Sequence, residues 1–198
     1  MPPSLSVVIP MYNEEGYVER SVAAARAVLE EMGSDWEIVI VDDASTDGTG
    51  PRADRLAAAD RRVRVIHNPV NRRLGGTLRA GYAAATKDLV FYTDADLPVD
   101  FGQLPRAVRL LEYQHADLLA GYRFDRTSEG LHRALYTIGY HVVIRLLFGL
   151  RIRDVNFAFK LFRRSLLQRI ELKSEGSFID AELLLRARKA GAVMIQLG

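Results

Sequence analysis

Apolar and polar positions along this chain alternate between two periods. Strand-length runs rich in Val, Ile and Leu occur at Leu5–Ile9, Trp36–Val41, Val63–His67, Leu89–Thr93 and Asp117–Gly121. Between them lie segments of helical period: from Asn13 through Ala25 and Leu29, through Leu56–Ala59, from Gly75-Gly76 to Thr86, and from about Phe101 to Tyr113. Asn13 reads as the cap of the first helix and Asp47 or Thr46 as the cap of the second. Strand and helix taking turns in this way build βαβ units. The expected fold class is therefore α/β, with a mainly parallel central sheet and helices on both faces. Runs as continuous as Val7-Val8-Ile9 suit strands buried on both sides.

After Gly121 the alternation loosens. Leu131–Phe148 has helical period, Asn156–Phe162 reads as a strand with aromatics on one face, and Phe178–Lys189 as an amphipathic helix. Ala192–Leu197 reads as a strand only just begun when the chain stops at Gly198, so a C-terminal truncation is expected. A length of 198 residues with 48% hydrophobic composition fits one compact domain over 1–198.

Charge and cysteine content narrow the chemistry. The chain has no Cys, so any metal must sit on oxygen or imidazole ligands, and oxygen favours Mg2+ or Mn2+. The four histidines show no ligand spacing. A net charge of +2 suits an anionic substrate or a lipid surface, but is too weak to argue for nucleic acid as a partner. The N-terminus lacks a secretory pattern, and the longest apolar stretch, Leu131–Leu150, is broken by Arg133, Arg145 and two histidines. A cytoplasmic location is expected.

Asp94-Ala95-Asp96 follows the fourth strand, and in open α/β sheets ligands bind beyond the carboxyl ends of strands. Two carboxylates around one small residue suit a hard divalent cation that shares its shell with substrate phosphates. Asp42 and Asp43 end the second strand, where carboxylates accept hydrogen bonds from base and ribose donors. Ser45, Thr46 and Asp47 are equally well read as turn and cap residues.

Four blocks then stand in order: Ser6-Val7-Val8-Ile9-Pro10 with Tyr12, Asn13 and Glu14; Asp42-Asp43-Ala44-Ser45-Thr46-Asp47-Gly48-Thr49; Asn71 with Gly75, Gly76 and Gly81; and Asp94-Ala95-Asp96. Together they resemble the family 2 inverting glycosyltransferases, most closely the dolichol-phosphate mannosyltransferases and bacterial polyprenyl-phosphate glycosyltransferases. The resemblance implies a Rossmann-like GT-A fold, with a nucleotide-sugar half over 1–125 and an acceptor-side half over 126–198. It implies that Pro10, Tyr12 and Glu14 line the nucleotide pocket, that Asp43 holds the base, and that Asp94 and Asp96 hold diphosphate and metal. Asp42, Asn71, Gly75 and Ala95 complete the expected nucleotide-sugar residues. The chain departs from the family pattern at Arg72-Arg73-Leu74, which carries charge where a Gly is usual, and at Leu97-Pro98, where a polar residue is usual.

On the acceptor side, a monoalkyl phosphate is already largely dianionic at neutral pH, so it needs positioning by Arg and Lys more than a base. Arg123, Arg126, Arg133 and Lys160 are the expected phosphate ligands, and Arg123 and Asp180 join Asp94 and Asp96 as the expected catalytic set. A hydroxyl acceptor would instead need Asp180 or Glu182 as base. The stripe Leu131, Leu135, Ile138, Val142, Leu146 and Leu150 beside Arg133 and Arg145 fits both packing on the domain and a peripheral place on the cytoplasmic membrane face. The expected partners are a nucleoside diphosphate sugar, a polyprenyl phosphate lipid, and a membrane protein or second copy of the chain. A catalytically silent nucleotide-binding module is the rival from another class. A nucleotidyltransferase ranks low, because Pro10-Met11-Tyr12-Asn13-Glu14 stands where its Gly-rich basic loop would begin.

Overall fold

The computed structural model describes residues 3–96, 100–122 and 152–198. Seven strands form one sheet: β1 Leu5–Met11, β2 Trp36–Asp42, β3 Val63–His67, β4 Leu89–Tyr92, β5 Leu118–Gly121, β6 Lys160–Arg163 and β7 Met194–Leu197. Their order is β3-β2-β1-β4-β6-β5-β7. β1 pairs in parallel with β2 and β4, β2 with β3, and β5 with β7. β6 runs antiparallel between β4 and β5. The sheet is thus mainly parallel, as the alternation implies, with one reversed strand. The expected strand Asn156–Phe162 is confined to β6, whose pairing starts at Lys160.

Two layers of helices cover the sheet: α1 Val18–Met32, α2 Thr49–Ala59, α3 Arg73–Ala84, α4 Leu104–Tyr113, the short α5 Arg164–Leu167 and α6 Ile179–Lys189. Strand period 2 sorts the core. Val7, Ile9, Ile38, Ile40 and Phe91 face one cluster with Val22 and Leu29 of α1, Ala53 of α2 and Leu104 of α4. Val8, Val39, Val41, Val90 and Tyr92 face the other, with Leu78 of α3, Leu166 of α5 and Leu183 of α6. β1, β2 and β4 are largely apolar because both of their faces are covered. Phe101–Gln103 forms a 3₁₀ turn leading into α4, with the Asp100 side chain accepting from the Gly102 amide.

Three helix starts differ from the expectation; α2 has Gly48 at its N-cap in place of Asp47 or Thr46. α1 begins at Val18 with Tyr17 at its N-cap. Asn13 is in the left-handed region at φ 55°, and its Oδ1 accepts from the Thr46 amide at 2.8 Å instead of capping. α3 begins at Arg73, before the Gly75-Gly76 pair. Among the described residues no helix is long and apolar enough to cross a membrane. The expected helix over Leu131–Phe148 lies outside them.

Candidate active site

The carboxyl ends of β1, β2 and β4 open onto one cleft of about 470 Å³. The end of β1 and its loop supply Pro10, Met11, Tyr12 and Glu14; the residue after β2 supplies Asp43; and the residues after β4 supply Asp94, Ala95 and Asp96. Asn71, Arg73, Leu74 and Thr77 line it from the start of α3. Eight of the expected nucleotide-sugar residues therefore share one surface. Asp42 and Gly75 do not line it.

The loop after β1 is laced to the loop after β2. The Asn13 amide donates to Ser45 Oγ at 3.0 Å, the Glu14 amide to Thr49 Oγ1 at 2.8 Å, and the Glu15 amide to Asp47 Oδ2 at 3.2 Å. In return the Gly48 amide donates to Glu15 Oε2 at 2.8 Å. Ser45 and Asp47 are thus more than turn residues, because their side chains hold the backbone that carries Tyr12 and Glu14, while Thr46 donates to the Asn13 side chain. Asp47 also receives the Thr49 amide at 2.9 Å, at the start of α2.

Asp43 is buried, and its Oδ1 accepts from Asn68 Nδ2 at 2.7 Å and from the Arg72 amide at 2.9 Å. Both bonds fall on the same oxygen, leaving Oδ2 as the open acceptor of a carboxylate that lines the cleft. Asp42 corrects the expectation. Its Oδ1 accepts from the Ser45 amide and its Oδ2 bonds His67 Nδ1 at 2.9 Å, so it braces β2 against β3. Gly75 is a second correction. Its amide donates to the Glu175 carbonyl at 2.7 Å, and an added Cβ would stand 2.8 Å from Glu175 Cα, so glycine is needed for backbone contact between α3 and the loop before α6.

On the far wall, Asp94 Oδ1 accepts from the Tyr92 hydroxyl at 2.9 Å, and Asp96 is exposed. Burial pushes the Asp94 carboxyl up to about 6; the Tyr92 bond opposes this, while the charges of Asp180 and Asp96 add to it. Glu14 is also raised, by burial first and then by Asp96 and Asp47. The wall thus carries more negative charge than it neutralises, which is the setting a cation satisfies. Among the described residues no three His, Cys, Asp or Glu form a ready-made metal cage. A cation on Asp94 and Asp96 would complete its shell with water and ligand oxygens, as Mg2+ commonly does.

The acceptor-side expectations fare differently. Lys160 is fully buried, its Nζ 2.7 Å from Asp180 Oδ1 and donating to the Phe157 carbonyl at 2.8 Å. It is a counter-ion inside the fold and is not presented to an incoming phosphate. Glu182 is buried too, accepting from the Lys173 amide at 2.9 Å, the Ser174 amide at 2.7 Å and Arg186 Nε at 2.6 Å. Neither carboxylate of this helix faces water. Arg123, Arg126 and Arg133 lie outside the described residues, as does Leu97-Pro98. Sequence reasoning missed Met11, Leu74 and Thr77 as cleft residues, while Arg73 was signalled by the unusual charge after Asn71.

Residues 6–171 match the family described as Glycosyl transferase family 2. The chain is 32% identical over 194 residues to Glycosyltransferase AglD of Haloferax volcanii, covering 94% of this chain and 31% of that protein. It is 32% identical over 208 residues to dolichyl-phosphate beta-glucosyltransferase of Saccharomyces cerevisiae, covering 92% of this chain and 62% of that one. It therefore spans less than two thirds of either relative. Glucosyl-3-phosphoglycerate synthase of Mycobacterium tuberculosis, solved with Mn2+, uridine diphosphate and phosphoglyceric acid, superposes with a TM-score of 0.72 at 25% identity, over 98% of this chain and 68% of that one. With its motif blocks converging on one cleft and most of its length matching the family, the chain belongs to glycosyl transferase family 2.

Proposed function

We propose that this chain is the catalytic domain of an inverting hexosyltransferase. It takes a hexose from a nucleoside diphosphate sugar of the GDP-mannose or UDP-glucose type and passes it to a polyprenyl or dolichyl phosphate. The carrying observation is that Asp43 and the Asp94-Ala95-Asp96 segment face one cleft from the ends of different strands. Asp43 accepts hydrogen bonds from base or ribose donors, Pro10 and Tyr12 wall the nucleotide, and Arg73 meets the diphosphate. Asp94 and Asp96 would hold Mg2+ or Mn2+, which when bound neutralises the charge that gathers on the departing diphosphate. The Mn2+ and uridine diphosphate of the mycobacterial structure support this reading.

For the acceptor, the engagement of both α6 carboxylates is informative. Asp180 is paired with Lys160, and Glu182 is spent on two amides and Arg186. A hydroxyl acceptor finds no free base in either, whereas a phosphate dianion needs none. A phosphate oxygen attacks the anomeric carbon from the face opposite the diphosphate, and the new C–O bond forms as the bond to diphosphate breaks. Arg123, Arg126 and Arg133 are assigned to the acceptor phosphate, and Leu131–Leu150 to the membrane interface. The name of the yeast relative supports a lipid phosphate acceptor. Incubating the protein with membranes and a labelled sugar nucleotide gives an organic-extractable product on this reading; label appearing only in water-soluble material rejects it.

A further inference from the structure

We infer that Tyr92, Lys160 and Asp180 form a buried positioning unit for the Asp94 carboxylate. The inference rests on the proposed role of Asp94 as a diphosphate and cation ligand. Lys160 is 0% exposed and Asp180 3% exposed, inside a cluster built of apolar side chains. Stability alone gives a poor reason for such a pair, because well-packed apolar residues of similar volume commonly hold a core as well or better.

Its location supplies another reason. In the antiparallel ladder of β4 and β6, Lys160 stands opposite Tyr92. Its Nζ lies 5.7 Å from the centre of the Tyr92 ring, within cation–π range. A cation over the ring draws electron density from the phenol and makes its hydroxyl a stronger donor. That hydroxyl bonds Asp94 Oδ1 at 2.9 Å. Asp180, from the first turn of α6, keeps the ammonium charged in an apolar surround. The Phe157 carbonyl accepts a hydrogen bond from the ammonium and fixes its direction. The unit therefore joins β4, β6 and α6 to a single oxygen of the cleft, and holds Oδ1 so that Oδ2 is left for a ligand. Outer partners that orient a ligating carboxylate commonly change metal affinity by about 10- to 100-fold when removed.

The test measures Mn2+ binding by electron paramagnetic resonance, with UDP or GDP present, on the whole chain and on three variants: Tyr92→Phe, Lys160→Met with Asp180→Asn, and all three changes together. Circular dichroism and thermal melts establish that each is folded. The unit predicts affinity about tenfold weaker or more for the first two variants, and a combined variant no weaker than the worse of them, since both act through one route. Wild-type affinity in a folded Lys160→Met, Asp180→Asn protein overturns it, as do losses that multiply. If that protein does not fold, Tyr92→Phe, which keeps the ring, decides alone, and wild-type affinity there overturns the inference. Unaltered variants beside a binding wild type overturn this inference only, whereas a wild type that binds neither nucleotide with Mn2+ overturns the proposed function with it.

Discussion

Asp42 and Asp43 are adjacent in the chain, yet their carboxylates serve different neighbours: Asp42 Oδ2 bonds His67 at 2.9 Å, and Asp43 Oδ1 bonds Asn68 at 2.7 Å and the Arg72 amide at 2.9 Å. Successive side chains of a strand point to opposite faces, so only one of two neighbours reaches a cleft on one side.

Asp43→Asn keeps an oxygen for Asn68 and Arg72 but loses the charge, and is expected to weaken UDP or GDP binding about tenfold or more. Asp42→Asn is expected to leave that affinity near wild type. Calorimetry on the two variants checks this, and equal losses would count against the division of roles.

Arg73 lines the cleft with its backbone at φ 58°, a region that costs a non-glycine residue about 1 kcal/mol or more. Arg73→Gly is therefore expected to raise the melting temperature slightly while raising the KM for the sugar nucleotide. Arg73→Lys should recover KM without the stability gain. Thermal melts paired with donor titrations separate the effects of backbone and charge.

Asp94 titrates at about 6 in the fold, chiefly through burial, against an ordinary 3.8. A raised carboxyl contributes stability that is full below the ordinary value and is lost as pH climbs through the raised one. About 3 kcal/mol is at stake. Asp94→Asn should exceed wild type in stability at about pH 8 by up to that amount, with the difference closing near pH 4, and should bind no Mn2+. Urea midpoints across this range measure it.

Glu182 has the opposite sign. Burial pushes it up, but the Ser174 and Lys173 amides and Arg186 outweigh burial and bring it down to about 2 from 4.5. Its contribution is present above about pH 4.5 and is lost as pH falls toward 2. Glu182→Gln should cost about 3 kcal/mol at neutral pH, and less as the medium is acidified. Denaturant titrations at neutral and acid pH check the trend.

Much of this was legible in the residues. The buried strands β1, β2 and β4 announced themselves by largely apolar runs, and the motif blocks fell where a parallel sheet presents its ligand edge. Four expected site residues, Asp42, Gly75, Lys160 and Asp180, stand away from the cleft, for local reasons. Which of Asp42 and Asp43 faces the cleft depends on strand phase at a terminus. Gly75 looked like a ligand loop, but the backbone it meets lies near residue 175, a contact no local pattern encodes. Lys160 was expected to hold the acceptor phosphate, and with Asp180 it is buried as an ion pair. The usable signal was its place between Phe159 and Leu161-Phe162, since a charge inside a strand covered on both faces has to be buried.

The reversed strand β6 bears on how the molecule must be made. β4, which carries the Asp94 wall, is completed on one side by β1 and on the other by a segment some 70 residues further along. Until β6 arrives, the apolar Leu89–Tyr92 strand has a naked edge open to pairing with other chains. A fragment stopping near residue 122 would contain every motif block and still be expected to aggregate. Protection of the β4 edge therefore depends on how quickly β6 docks.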